Sequence, residues 1–198
     1  MTRTFWKHAR TAAAAVLTAS ALLGAIAFDG ASALAAERPV AQEKNPPGDI
    51  PDSQIFVEYH SSLGFSLKVP EGWARTDHSD GATFADKYNA IDVAVGSAPA
   101  APTTASVTGH EAADLVKTGR AVTIRAVKGV KLRSGPAILI EYASNSEPNP
   151  VTNKQLRLEN HRYLIHRGGK LATINLSAPL GADNADQWKL ISNSFQWR

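Results

Sequence analysis

Two adjacent glycines, Gly168 and Gly169, separate two runs of apolar and polar side chains. A two-residue loop between strands needs positive φ at both positions, which glycine supplies without steric cost. Residues 154–167 and 170–177 are therefore expected to form an antiparallel hairpin. In the second run Ala172, Ile174 and Leu176 alternate with Thr173 and Asn175, so one face is greasy and the other wet. The first run changes phase. Leu156 and Leu158 fall on even positions, whereas Tyr163 and Ile165 fall on odd ones beside Leu164. A bulge between Glu159 and Arg162 is expected to reconcile the two halves.

Other segments extend this pleated pattern. Residues 55–59 form a short strand candidate. Phe65, Leu67 and Val69 alternate with Ser66 and Lys68, and Pro70 and Gly72 stop that strand before Trp73. Residues 83–88 and 90–95 are expected to pair around Asn89. Residues 97–106 read as a loop. Thr108 and Glu111 have the spacing of a capping box, followed by a helix with Ala112, Leu115 and Val116 on its apolar stripe. Gly119 is expected to end that helix in a left-handed residue. Two further strands span 122–132, with a bulge at Gly129, and 137–143. The Pro148 and Pro150 stretch over 144–152 must be an exposed loop. Asp183 and Asp186 are expected to cap a final helix that carries Trp188 and Ile191 into Phe195. The implied class is α+β: a twisted antiparallel β-sheet with an internal helix and a C-terminal helix packed on it.

Residues 1–35 have the layout of a secretory signal peptide. Arg3, Lys7 and Arg10 precede an apolar, alanine-rich run over 11–28, and Ala33-Leu34-Ala35 offers a small-x-small cleavage site. Cleavage is expected between Ala35 and Ala36, with Ala31-Ser32-Ala33 as a second site. The alternative is an uncleaved anchor, because the run is about as short as a bilayer span can be. Its Ala, Ser and Thr content and its stop at Asp29 favour cleavage. The membrane would then be met only through the signal peptide. Residues 36–52, with Pro39, Pro46, Pro47, Gly48 and Pro51, are expected to be a flexible linker, and 53–198 the folded domain.

No cysteine is present, which excludes a disulfide, a thiolate metal site and a lipidated Cys after the leader. The domain must hold together by its core. Phe65, Trp73, Trp188, Phe195 and Trp197 are the expected aromatic core, each contributing about 2–3 kcal/mol on burial. A pI near 9.2 suggests nucleic acid, but three of the 21 Lys and Arg lie in the leader against one of the 18 Asp and Glu. The processed chain is nearly neutral, and export argues against a nucleic-acid partner.

Gly64-Phe65-Ser66-Leu67 with Val69-Pro70 and Gly72-Trp73 opens the domain. Arg162-Tyr163 leads into Gly169-Lys170, and Gly181-Ala182-Asp183-Asn184 with Ser194-Phe195 and Trp197 closes it. This ordered set resembles the fold shared by the photosystem II extrinsic P subunit (PsbP) and the Ran-binding Mog proteins. It is most similar to the secreted and LpqN-type lipoprotein members of high-GC bacteria. The resemblance spans roughly residues 56–197. It implies an accessory or binding module and no enzyme, although the group serves unrelated tasks. The missing lipidated Cys departs from the lipoproteins.

No nucleophile elbow, zincin helix, phosphate loop or EF-hand loop occurs in the sequence. His60, His78, His110, His161 and His166 are scattered, and no metal or cofactor is expected. Odd spacing puts His161 and His166 on opposite strand faces unless the bulge intervenes. The candidate docking face is Arg157, Glu159 and His161 on one strand with Lys131 and Arg133 on a neighbour. The expected function is a monomeric, secreted, non-catalytic accessory protein docking an envelope or extracellular protein. The alternatives are an envelope hydrolase using His161 or His166 as base, or a small-molecule or metal carrier.

Overall fold

A computed structural model describes residues 37–198; the leader, with the expected cleavage at Ala35 and Ala36, lies outside the described residues. The architecture is α+β and almost entirely antiparallel. Its small sheet holds β1 (Phe56–Ser61), β2 (Phe65–Pro70) and β10 (Gln196–Trp197), in the order β1-β2-β10. The large sheet holds β3 (Ala74–Asp77), β4 (Gly81–Asp86), β5 (Asn89–Ser97), β6 (Thr123–Leu132), β7 (Gly135–Asn145), β8 (Arg157–Arg167) and β9 (Lys170–Pro179). Its spatial order is β3-β4-β5-β9-β8-β7-β6. Helices α1 (Thr104–Gly109) and α2 (Glu111–Thr118) follow β5, and α3 (Ala185–Ser194) follows β9.

The β8–β9 hairpin turns on Gly168 at φ 56° and Gly169 at φ 76°, the positive pair a two-residue loop requires. No bulge interrupts β8, whose register against β7 and β9 is continuous from Leu158 to Leu164. The mixed phase has another cause. The large sheet is covered on both faces, so Tyr163, Leu164 and Ile165 are all buried. On one face Leu139, Tyr163, Ile165, Ile174 and Leu176 meet Phe65 and Leu67 of β2 and Trp188, Ile191 and Phe195 around α3. On the other, Ile138, Ile140, Tyr142 and Leu164 meet Val107 of α1 and Ala112 of α2. The irregularity in β6 falls between Ile124 and Ala126, not at Gly129, which pairs regularly with Ile138.

Phe65 and Phe195 are fully buried and stack at 5.7 Å between ring centroids. Trp188 is buried, whereas Trp73 and Trp197 are partly buried against the same core. Ser66, expected on the wet face, is also buried; its hydroxyl accepts from Arg198 Nε at 3.1 Å. The short strand β3, unread in the sequence, is fully exposed at the sheet edge, and Arg75 lies 4.8 Å above the Tyr59 ring.

The helix starts differ from expectation. Thr103 and Ser106 form the capping box of α1, while Thr108 sits inside that helix with its hydroxyl donating to the Thr104 carbonyl. His110 separates α1 from α2, and Gly119 ends α2 in extended backbone, not in a left-handed residue. Neither Asp183 nor Asp186 caps α3. Asn184 holds the N-cap position, but its side chain is committed elsewhere.

That commitment overturns the flexible linker. Residues 37–52 lack regular structure yet lie strapped to the domain. Asn184 accepts from the Ile50 amide at 2.7 Å and donates to the Gly48 carbonyl at 3.0 Å. Asn145 accepts from the Val40 amide and donates to Glu37 and to the Arg38 carbonyl. Ile50 is only 4% exposed. Side-chain amides thus satisfy the strap's backbone groups where a sheet neighbour otherwise would.

Candidate docking surface

The large sheet carries a belt of charge where β6, β7 and β8 run out from under α3. Register places Glu141 opposite both His161 and Ala126, and Lys128 opposite Leu139, so their side chains share the α3 face. His161 Nε2 lies 3.9 Å from Glu141 Oε1 and 3.8 Å from Glu159 Oε1. Each carboxylate already has a cation. Lys128 Nζ donates to Glu141 at 2.7 Å, and Arg125 Nη1 to Glu159 at 3.4 Å. The Trp188 ring packs edgewise against the imidazole at 4.7 Å. Burial beneath that ring pushes the His161 pKa down, outweighing the two carboxylates, which pull it up. Burial likewise raises the Tyr163 phenol.

The belt is built for mutual neutralisation. Two acids, two cations and a neutral imidazole leave no group uncommitted. Among the described residues, no hydrogen bond joins His161 to a hydroxyl that it could deprotonate. A hydrolytic base needs such a partner or a water held in its place.

The structure divides the five candidate docking residues. Glu159 and His161 belong to the belt. Arg157 is buried, donating to the Ala121 carbonyl at 2.7 Å, to Asn145 Oδ1 at 3.0 Å and to Thr123 Oγ1 at 3.0 Å. It cannot contact a partner, and burial lowers its pKa. Lys131 pairs with Pro136 and points to the opposite face from Lys128. Arg133 lies in the β6–β7 turn, where its amide donates to Asn193 of α3. Sequence reasoning missed Arg125, Lys128 and Glu141. The available signal was Glu141 itself, a lone carboxylate on the Leu139 face of an otherwise apolar run.

The remaining histidines are separate. His161 and His166 do face opposite ways, and His166 Nε2 lies 3.0 Å from the Ala98 carbonyl. A carbonyl can only accept, so that nitrogen carries the proton. His78 Nε2 meets Thr83 Oγ1 at 3.0 Å, and Thr83 donates to Asp92 at 2.7 Å. The hydroxyl's single proton points at the carboxylate, so His78 donates to Thr83 and is not placed to activate it. No group of three or more His, Asp or Glu suited to a metal occurs among the described residues.

Two larger concavities flank the body. One, of about 580 Å³, lies between Glu43 and Pro47 of the strap, the β4–β5 turn at Lys87 and Tyr88, and the 146–154 loop. The other, of about 610 Å³, lies between α3, the outer face of β2 and the β6–β7 turn. No helix among the described residues is long and apolar enough to cross a membrane.

No protein-family model matches the chain, and no curated protein sequence does. Solved structures do. The cyanobacterial PsbP of Synechocystis superposes with a TM-score of 0.52 at 18% identity, covering 78% of this chain and 100% of that one. The Ran-binding protein Mog1p of Saccharomyces cerevisiae gives 0.48 at 11% identity, over 72% of this chain and 95% of that one. LpqN of Mycobacterium tuberculosis, involved in cell envelope biogenesis, gives 0.46 at 15% identity, over 73% and 91%. The superposition on the cyanobacterial structure makes the fold PsbP-like, as the ordered sequence segments imply.

Proposed function

We propose that this chain is an exported accessory module that docks on another protein of the cell envelope and carries out no covalent chemistry. The observation that carries this reading is the PsbP-like fold over the whole length of the cyanobacterial structure. Resemblance to that group implies binding or assisting other proteins. The leader-like residues 1–35 support export.

The disposition of titratable groups supports it further. His161 sits between carboxylates already claimed by Lys128 and Arg125. His166 is spent on a carbonyl. A hydrolase using either as base would need that network to break first.

One observation favours a second reading, a small-molecule carrier: the concavity of about 580 Å³ beneath the strap. Native mass spectrometry of protein purified from its host separates the two. A retained ligand of constant mass supports the carrier. A stripped protein that forms a reproducible complex with one envelope protein supports docking. Hydrolysis of an envelope substrate, lost on His161→Phe, contradicts both.

A further inference from the structure

The concavity beside α3 collects cations that the fold itself does not use. Lys68 projects from the outer face of β2, Arg133 from the β6–β7 turn, and Lys189 from α3. None of the three forms an ion pair among the described residues. Their backbones are nevertheless fixed. The Lys68 amide donates to Ser194 Oγ at 2.8 Å, and the Arg133 amide donates to Asn193 Oδ1 at 3.2 Å.

The acids of the same wall do not offset them. Glu58 is held by Arg198 at 2.6 Å, and its pKa is lowered, chiefly by hydrogen bonding to Ser66. Only Asp186 is left uncommitted. Asp186, Lys189, Leu190 and Asn193 recur at helical spacing, so α3 presents one mixed face to the concavity. Leu190 is 39% exposed there.

We propose that this concavity is the docking site for an acidic, extended segment of a partner protein, with its carboxylates on Lys68, Arg133 and Lys189 and an apolar side chain on Leu190. The proposal rests on the docking function above and names the chemistry of its partner. The cations stand on three separate elements, which suits spaced carboxylates better than a single phosphate. A phosphate site gathers backbone N–H donors, commonly at a helix N-terminus. Here the first turn of α3 carries the Asp186 carboxylate. A lipid surface calls for a projecting apolar face with basic flanks, whereas these cations line a recess. Charge complementarity of this kind sets orientation and association rate and weakens with salt.

The test uses the folded protein and a fluorescein-labelled peptide of four Gly-Glu repeats with one Leu at its centre, read by fluorescence anisotropy at low and at physiological salt. The variant Lys68→Gln/Arg133→Gln/Lys189→Gln should weaken binding by about tenfold or more. The control Lys44→Gln/Lys117→Gln/Lys170→Gln carries the same charge change at exposed sites elsewhere and should weaken it less than about twofold. Asp186→Asn should tighten binding by removing repulsion. If the triple variant misfolds by circular dichroism, the single variant Lys189→Gln and Asp186→Asn carry the same opposite-sign expectation.

Equal loss in variant and control would overturn the proposal, as would no peptide binding by the unaltered protein. Loss of binding to phosphatidylglycerol vesicles in the variant, with peptide binding unchanged, would overturn it in favour of a lipid surface. A partner complex indifferent to the triple variant would sink this site while leaving the docking function standing.

Discussion

Asn145 accepts from Arg157 Nη1 at 3.0 Å through the same side-chain oxygen that accepts from the Val40 amide at 3.1 Å. Its amide nitrogen donates to Glu37 and to the Arg38 carbonyl. One buried side chain on β7 therefore links the strap to the buried guanidinium of β8.

Asn145→Ala should accordingly cost about 2–3 kcal/mol, because it takes one acceptor from the buried Arg157 guanidinium and the partners from the Val40 amide and Arg38 carbonyl of the strap. The strap should loosen with it. Lys44, followed by Asn45, is then a trypsin site in a freed segment, whereas the Arg38–Pro39 bond resists trypsin. Thermal unfolding and the rate of tryptic cleavage after Lys44 check this. Unchanged cleavage would mean that Asn184 alone holds the strap.

Stability should depend on pH through His161. Burial holds its pKa in the folded protein below the ordinary value of 6.5. The unfolded chain therefore takes up the proton first as pH falls. This contribution is complete above the ordinary histidine value and is lost as pH falls through and below it. The groups facing the ring are Glu141, Glu159, Lys128, Arg125 and Tyr163, with Trp188 above it. Urea unfolding at several pH values between about 5 and 8 should show a steeper acid-side decline than the His161→Phe variant. Trp188→Ala should raise the His161 pKa by NMR titration as well as destabilise the core by about 3–5 kcal/mol.

Gly81 is buried where β4 meets β5. A Cβ there would stand 1.8 Å from the Val93 carbonyl oxygen, which is backbone and cannot swing aside. Gly81→Ala should force β4 and β5 apart and lower the melting temperature by several degrees or more. Gly129→Ala in β6, which meets nothing within 4 Å, should be nearly neutral in the same measurement.

Much of this fold was legible because its strands are punctuated locally. Gly168-Gly169 fixes a turn by backbone freedom alone, and the apolar positions read in β2 and β9 all reach the core, although Ser66 and Asn175, read as wet, are buried too. The inferred bulge in β8 failed for a general reason. Alternation reports a half-wet sheet, and β8 is covered by α3 and β2 on one side and by α1 and α2 on the other. The linker was misread because its anchors, Asn145 and Asn184, lie 105 and 134 residues from the amides they bind. Composition sees the prolines but not distant side-chain amides. The same blindness hid Arg157, whose charge suggests a surface while its three neutral acceptors bury it. Lys68 was legible only as a wet-face residue of β2 and Lys189 drew no reading; the fold sets both around one concavity with Arg133.

The most direct test of docking is quantitative cross-linking in intact envelopes of the producing cell, with the protein at its native abundance. The account predicts one discrete adduct, with a single protein, in fixed ratio, formed equally by the unaltered protein and by a folded His161→Phe variant. Absence of any adduct across growth conditions, together with a measured turnover that His161→Phe abolishes, would contradict it.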